Sequence, residues 1–387
     1  MTHTTANQPP RLDNPDHSRR AATVAGGPLD SEGPGSEHRY RNLVLGAVAI
    51  LLLAMAMLVS YSSAFGHPQP NNVHLAVSGD AQTIVALEQQ DQLDLMVVSS
   101  EEDAKTDVLD REVDGAIIVP TPGAGAPVTT YIASGSGKSL GVAISAIGET
   151  VAQKIGATNT TTDLAPLPEN NPGGSIEFYA ILFAGLGAAL GATIFGRILG
   201  TVDTAPRFVE RSIVLIAYSG LLAGLITLWI NTALNAVTAT PWAIFASLWL
   251  TVLAVGGAVT GVAAVGGTIA ALATTLALVI LGNTSSGGPF GIHLLNDFFQ
   301  GLYYVFPQGD GLDLLRSIEY FDGAAIAGPV IRLAIWAAAG LLLALIAMLV
   351  RHRRDTVARA RLAQFNQATT ATTPTSDAAA ITGAIVS

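Results

Sequence analysis

Cysteine is absent from the 387-residue chain, which excludes disulfide frameworks, thiolate metal sites and cysteine nucleophiles. Charge is scarce as well. Only 12% of residues are Asp, Glu, Lys or Arg, about half the proportion usual in soluble domains. Between Ser212 and Asn296 there is none at all. That desert argues against a proton- or sodium-coupled carrier, which places Asp, Glu or His near the middle of the membrane. A basic surface for nucleic acid is also missing. The formal charge of −10 gathers in residues 66–175, which hold four basic and fourteen acidic side chains, so one acidic region carries the imbalance.

What the chain has instead is apolar length. Half its residues are hydrophobic and the mean hydropathy is +0.47. A bilayer core of about 30 Å needs about 20 apolar residues in a helix, and Leu43–Phe65 meets this after some forty polar residues. An anchor suits that placement better than a cleaved signal peptide, although Ser62-Ser63-Ala64 loosely imitates a cleavage site. Further spans are expected at Ile176–Gly196 and Ser212–Val237. The apolar stretch Trp242–Leu281 is too long for one crossing, at roughly 60 Å of helix, and reads as two spans joined by a tight glycine-rich turn between Gly256 and Gly267. A sixth is expected at Val330–Val350, stopped by Arg351-His352-Arg353-Arg354.

Lys and Arg set the orientation. Segments 1–42, 197–211 and 351–387 hold thirteen of them, and segments 66–175 and 283–329 hold five. The first group is therefore expected inside the cell and the second outside. Basic flanks at both ends of the apolar region require an even number of crossings. The expected fold is an α-helical membrane protein of six transmembrane helices. An extracytoplasmic α/β domain is inserted between helices one and two, and both termini are cytoplasmic at the plasma membrane. Residues 1–38 and 368–387 read as disordered tails.

Within 66–175, strand-like and helix-like stretches alternate. Strands are expected at Val73–Val77, Leu93–Val98, Gly115–Val119 and Val128–Ile132. Helices are expected at Ala81–Gln90, from the Ser99-Ser100-Glu101-Glu102 cap through Val113, and at Ser139–Ile155. Thr160–Ser175 reads as a polar, proline-rich linker.

Ser-Ser-Glu-Glu-Asp-Ala (99–104), a helix, and then Asp-Gly-Ala-Ile-Ile-Val-Pro (114–120) resemble a signature of type-2 ABC transporter permeases. The YhgE/Pip-like membrane proteins, similar in plan, belong to that superfamily. Gly282-Asn283-Thr284-Ser285-Ser286-Gly287-Gly288-Pro289, then Phe306-Pro307-Gln308-Gly309 and Leu315-Arg316-Ser317-Ile318-Glu319-Tyr320-Phe321-Asp322-Gly323, extend the resemblance over residues 40–350. It implies a permease subunit that exports a hydrophobic or amphipathic substrate with a separate ATP-binding cassette subunit.

Candidate sites follow, each beside a plainer reading. Arg207, Glu210 and Arg211 lie in 204–211, where a short amphipathic cytoplasmic helix would dock in the ATPase, as the resemblance implies; a positive loop that only fixes topology is the alternative. Asn231 and Asn235 could line a polar path or simply bond between helices. Phe306, Pro307 and Arg316 sit in an aromatic-rich stretch that would close an outer gate, or form an interfacial belt. Gly187/Gly191, Gly220/Gly224 and Gly257/Gly261 have the spacing of close helix packing, within the bundle or at a homodimer face. His293 and Asp297, four apart, are too few for a metal site. Gly135-Ser136-Gly137-Lys138-Ser139 imitates a phosphate loop, but Ile132 stands where the first glycine is needed. No cofactor is expected. A membrane enzyme lacks any nucleophile-and-base constellation. The alternative to transport is an envelope protein whose external domain binds a partner or serves as a receptor, with the lipid bilayer the one certain neighbour.

Overall fold

The computed structural model describes residues 35–121, 125–200 and 202–371. Five helices among them are long and apolar enough to cross a membrane: His38–Phe65, Ile176–Ile198, Ala205–Ala233, Pro241–Ser285 and Ala327–Gln367. A helical membrane protein of several passes has this composition.

The chain divides into two compact units, Met1–Leu53 and Ala54–Ser387. Helix α1 (Gly35–Phe65) starts in the first unit and continues into the second; it begins earlier than the apolar run because Glu37-His38-Arg39-Tyr40-Arg41 carries no breaker and polar side chains do not stop a helix. The tail expected at 1–38 otherwise lies outside the described residues.

The second unit contains a five-stranded sheet in the order β2-β1-β3-β4-β5. Its strands are β1 (Val73–Ser78), β2 (Leu93–Val97), β3 (Gly115–Ile118), β4 (Val128–Ile132) and β5 (Asn159–Asp163). Strand β1 runs parallel to β2 and β3, and β4 pairs antiparallel to β3 and parallel to β5. Helices α2 (Ala81–Glu88), α3 (Glu101–Leu109) and α4 (Lys138–Lys154) pack on it. Side chains alternate across the strands. Val73, Leu75 and Val77 meet Leu140 and Ile144 of α4 on one face, while Ala76 and Ala116 meet Ala104 and Val108 of α3 on the other. Asp80 and Ser100 cap α2 and α3 through their side-chain oxygens. Helix α3 stops at Leu109, short of the expected Val113, and Arg111 turns the chain with φ +62°. Strand β5 occupies the start of the expected linker. Its Asn-Thr-Thr-Thr-Asp sequence has β-branched propensity but no apolar alternation, and only the open edge of β4 makes it a strand.

The bundle begins with α5 (Ile176–Ile198) and α6 (Ala205–Thr227), the latter continued by a π-helical turn at Leu228–Ala233. Helix α6 starts seven residues earlier than expected, with Pro206 in its first turn. The basic segment before Ser212 is therefore its opening turns, not a separate helix. Helix α7 (Pro241–Ala277) runs on through the π-turn Leu278–Gly282 and the short α8 (Asn283–Ser285). It breaks at the single residue Gly267 (φ 71°, ψ −161°), the last of the stretch in which a glycine-rich turn is expected. The two arms, 241–266 and 268–285, run oppositely along α5. Gly256 lies against Ala188, whereas Thr275 Oγ1 is 3.1 Å from Thr193 Oγ1 and Asn283 lies beside Gly185. Advancing along the second arm thus means retreating along α5.

Two short helices, α9 (Asp297–Tyr303) and α10 (Pro307–Tyr320), precede α11 (Ala327–Ala371). The stop expected at Arg351 does not occur, because residues 351–371 contain neither Gly nor Pro and arginine, alanine and glutamine are good helix formers. The rest of the expected C-terminal tail, 372–387, lies outside the described residues. All three glycine pairs meet neighbours within the chain. Gly187 and Gly191 face Leu222 and Tyr218, Gly220 and Gly224 face Trp249 and Phe245, and Gly257 and Gly261 face Ala337 and Gly340.

Candidate functional site

Helix α10 joins the sheet to the bundle. Leu312 and Leu315 enter the bundle core, while Phe321, one residue past its end, enters the sheet core beside Tyr131. Leu294, upstream, joins the opposite sheet core. The connecting segment is therefore built into both halves, and along α10 polar side chains, buried or half-buried, make specific contacts. Gln308 Nε2 donates to Leu278 O at 2.7 Å. Arg332 Nε donates to Asp310 at 2.6 Å. Arg111 binds Asp313 at 3.1 Å, and Tyr303 also donates to that carboxylate. Arg316 is 3% exposed and donates to Ser136 O and Gly288 O at 2.9 and 2.7 Å. Glu319 accepts from Thr238 N and Ala239 N, and Tyr320 donates to Glu177 at 2.5 Å.

Burial sets the titration of this network. It raises Asp310 despite Arg332, and raises Glu319 despite three donors. Burial also opposes ionisation of Asp313, but Arg111, with help from Tyr303, prevails and holds that carboxyl below its ordinary value.

At the amino-terminal edge of the sheet, three residues from distant parts of the chain converge. His74 is the second residue of β1, Asp114 immediately precedes β3, and His293 lies in a turn at Ile292–Leu294. One donor atom from each lies within 4.8 Å of the others. His293 Nδ1 is 2.6 Å from Asp114 Oδ2, with side chains only 12% and 14% exposed. That nitrogen is buried and has no aligned hydrogen bond. The His74 and His293 rings are 4.5 Å apart and tilted by 57°. Asp114 Oδ2 accepts from His74 N at 2.9 Å, and His74 Nε2 is 3.3 Å from Asp94. Burial disfavours the His293 imidazolium, but Asp114 outweighs it, aided by Asp313 and Asp94, so its pKa is raised.

Sequence spacing did not reveal this cluster. The pairing considered for His293, with Asp297, is not formed; Asp297 accepts from Asn71 Nδ2 at 2.7 Å, at the start of α9. The one available signal was a polar residue at the mouth of each of two apolar strands.

The other candidates lie elsewhere in the fold. Arg207 pairs with Asp203 at 2.7 Å and Glu210 is exposed, on the first turns of α6. Arg211 is 6% exposed, donates to Gly200 O at 3.2 Å and has no carboxylate partner among the described residues. It lines an apolar cleft of about 230 Å³ between α6, α7 and α11, with Phe208, Leu215, Leu253, Gly257 and Ala344. Asn231 is committed to a loop, donating to Val237 O and Ala239 O, and Asn235 turns that loop with φ +49°. Phe306 and Pro307 start α10 as cap and first residue, with Pro307 buried.

A separate cavity of about 760 Å³ opens at the carboxyl ends of β1 and β3, lined by Asp80, Thr83, Pro120, Lys154 and Thr158. At that edge β1 leads into α2, and β3 leads to its antiparallel neighbour β4. No family model, curated protein or solved structure matches this chain.

Proposed function

We propose that this chain is a plasma-membrane permease-like subunit that exports a hydrophobic or amphipathic substrate with a separate ATP-binding cassette subunit. In this reading it crosses the bilayer six times, both termini are cytoplasmic, and the sheet domain is outside. The opposed arms of α7 support counting 241–285 as two crossings, and the Lys and Arg distribution supports the orientation.

The observation that carries the transport reading is the cleft holding Arg211. A cation buried among apolar side chains without a carboxylate is costly. An anionic amphiphile entering sideways from lipid supplies both the counter-charge and the apolar contact. Arg207 and Glu210, exposed on the adjoining turns, are the residues offered to the ATPase.

The absence of cysteine makes topology direct to test. Single cysteines at His38, Glu102 and Arg354 are treated with a membrane-impermeant maleimide applied from outside. Labelling of Glu102→Cys alone is expected, and opposite reactivity at His38 and Arg354 overturns the six-crossing count. For partnership, tagged protein is purified from native membranes. An ATP-binding chain is expected with wild type and lost with Arg207→Glu combined with Glu210→Arg. Recovery of no ATP-binding chain with wild type overturns the reading.

One observation favours the alternative of a partner-binding envelope protein, namely the cavity at the carboxyl edge of the sheet. Loss of partner capture by Lys154→Glu, with no ATPase recovered, would favour it.

A further inference from the structure

We propose that His74, Asp114 and His293 form a divalent transition-metal site, with Zn²⁺ the ion best suited, that clamps the sheet domain to the segment mounted on the bundle. Two imidazoles and one carboxylate are the donor set of open zinc sites, in which a fourth position is left for water or another ligand. Calcium and magnesium demand more oxygen donors than stand here. A tetrahedral ion with bonds of about 2.0–2.1 Å spaces its donors about 3.3 Å apart. The three donor atoms, within 4.8 Å of one another, reach that spacing by small side-chain rotations.

The surroundings are those of a ligand set more than of a lone ion pair. Metal-bound histidines are oriented by an outer carboxylate, and metal-bound carboxylates by a hydrogen bond. Asp94 stands 3.3 Å from His74 Nε2 and the His74 N–H holds Asp114 at 2.9 Å. A His293–Asp114 ion pair requires neither His74 nor Asp94, and it leaves His293 Nδ1 without an aligned bond. Three arginines line the same cavity of about 230 Å³, but none is available to neutralise Asp114. Arg111 is engaged by Asp313, Arg332 by Asp310, and Arg316 by two carbonyls. Asp114 has no Lys or Arg ion pair among the described residues.

The placement gives the ion a task. His74 and Asp114 belong to the sheet, and His293 to the segment that also feeds Leu294 into the sheet core and leads to α10. One ion bound by all three cross-links these elements at the junction. The inference holds whether or not the chain transports anything.

The test uses full-length protein in detergent, with a tag that contains no histidine, stripped with chelator and titrated with ZnCl₂ by calorimetry. One saturable site per chain is expected, absent with CaCl₂ or MgCl₂. His74→Gln, Asp114→Asn and His293→Gln should each weaken it at least tenfold, and Asp94→Asn by a smaller factor. Zn²⁺ should raise the melting temperature of wild type but not of these three variants. His74 is 41% exposed at its side chain, so its variant keeps the fold and serves as the decisive arm. No saturable binding by wild type, or equal binding and equal thermal shift in wild type and His74→Gln, overturns the proposal and leaves adventitious binding only.

Discussion

Gly340→Ala tests the close crossing of α7 and α11. A Cβ at position 340 would stand 2.2 Å from both C and O of Gly257 and 2.8 Å from Ala258 N. Carbon contacts settle at about 3.5–4.0 Å, so the helices must part by more than an ångström. The obstructing atoms are backbone, and no side-chain rotation relieves them. Overpacking costs about 1–3 kcal/mol where side chains yield, and a backbone obstruction belongs at the top of that range. Alanine returns up to ~1 kcal/mol through helix propensity, which leaves a net loss of about 2 kcal/mol. Gly46→Ala on α1 is the matched control, because nothing lies within 4 Å of its Cβ position and only the propensity gain remains. Thermal unfolding in detergent, followed by the fluorescence of the four tryptophans, reads both. At roughly 2–4 °C per kcal/mol, Gly340→Ala should melt at least ~4 °C lower and Gly46→Ala no lower than wild type. Equal melting of Gly340→Ala and wild type would refute the close approach.

Three more outcomes follow from the same packing. Gly267→Ala should destabilise by about 1–3 kcal/mol through backbone strain alone, since its φ of +71° is a glycine conformation and nothing lies within 4 Å; a wild-type melting temperature would mean the arms do not break there. Arg316→Met leaves the Ser136 and Gly288 carbonyls without their donor, at about 1–3 kcal/mol for each buried acceptor. Faster limited proteolysis between sheet and bundle should report it, and an unchanged cleavage rate would count against Arg316 holding the two together. For Asp313, whose folded pKa is depressed, the unfolded chain takes up the proton first on acidification. Its stabilisation is therefore present above about pH 4 and lost as pH falls through the lower folded value. Arg111→Gln should flatten that acid limb of melting temperature against pH, and an unaltered limb would contradict the assignment.

Much of this architecture was legible because lipid and core impose simple periodicities. The apolar runs at Leu43–Phe65, Ile176–Gly196 and Val330–Val350 mark helices without reference to anything distant. Four of the five strands follow from short apolar stretches ended by Pro, Gly or Ser. Helix ends were less legible. Charges mark where a helix leaves an apolar medium, not where hydrogen bonding stops, so α6 and α11 extend past the limits read from Ser212 and Arg351. Strand β5 has no apolar signature, and pairing with β4 makes it a strand.

The site divides in the same way. By itself the sequence determined a multi-pass helical chain with one acidic α/β domain, because hydrophobicity and charge act locally and repeat at fixed intervals. Only the tertiary structure decided that His74, Asp114 and His293 meet, that Arg211 is buried in an apolar cleft, and that Asn231 is committed to a loop. Convergence of side chains depends on strand register and helix crossing. Those are set by packing summed over the whole unit, and no spacing along the chain encodes them.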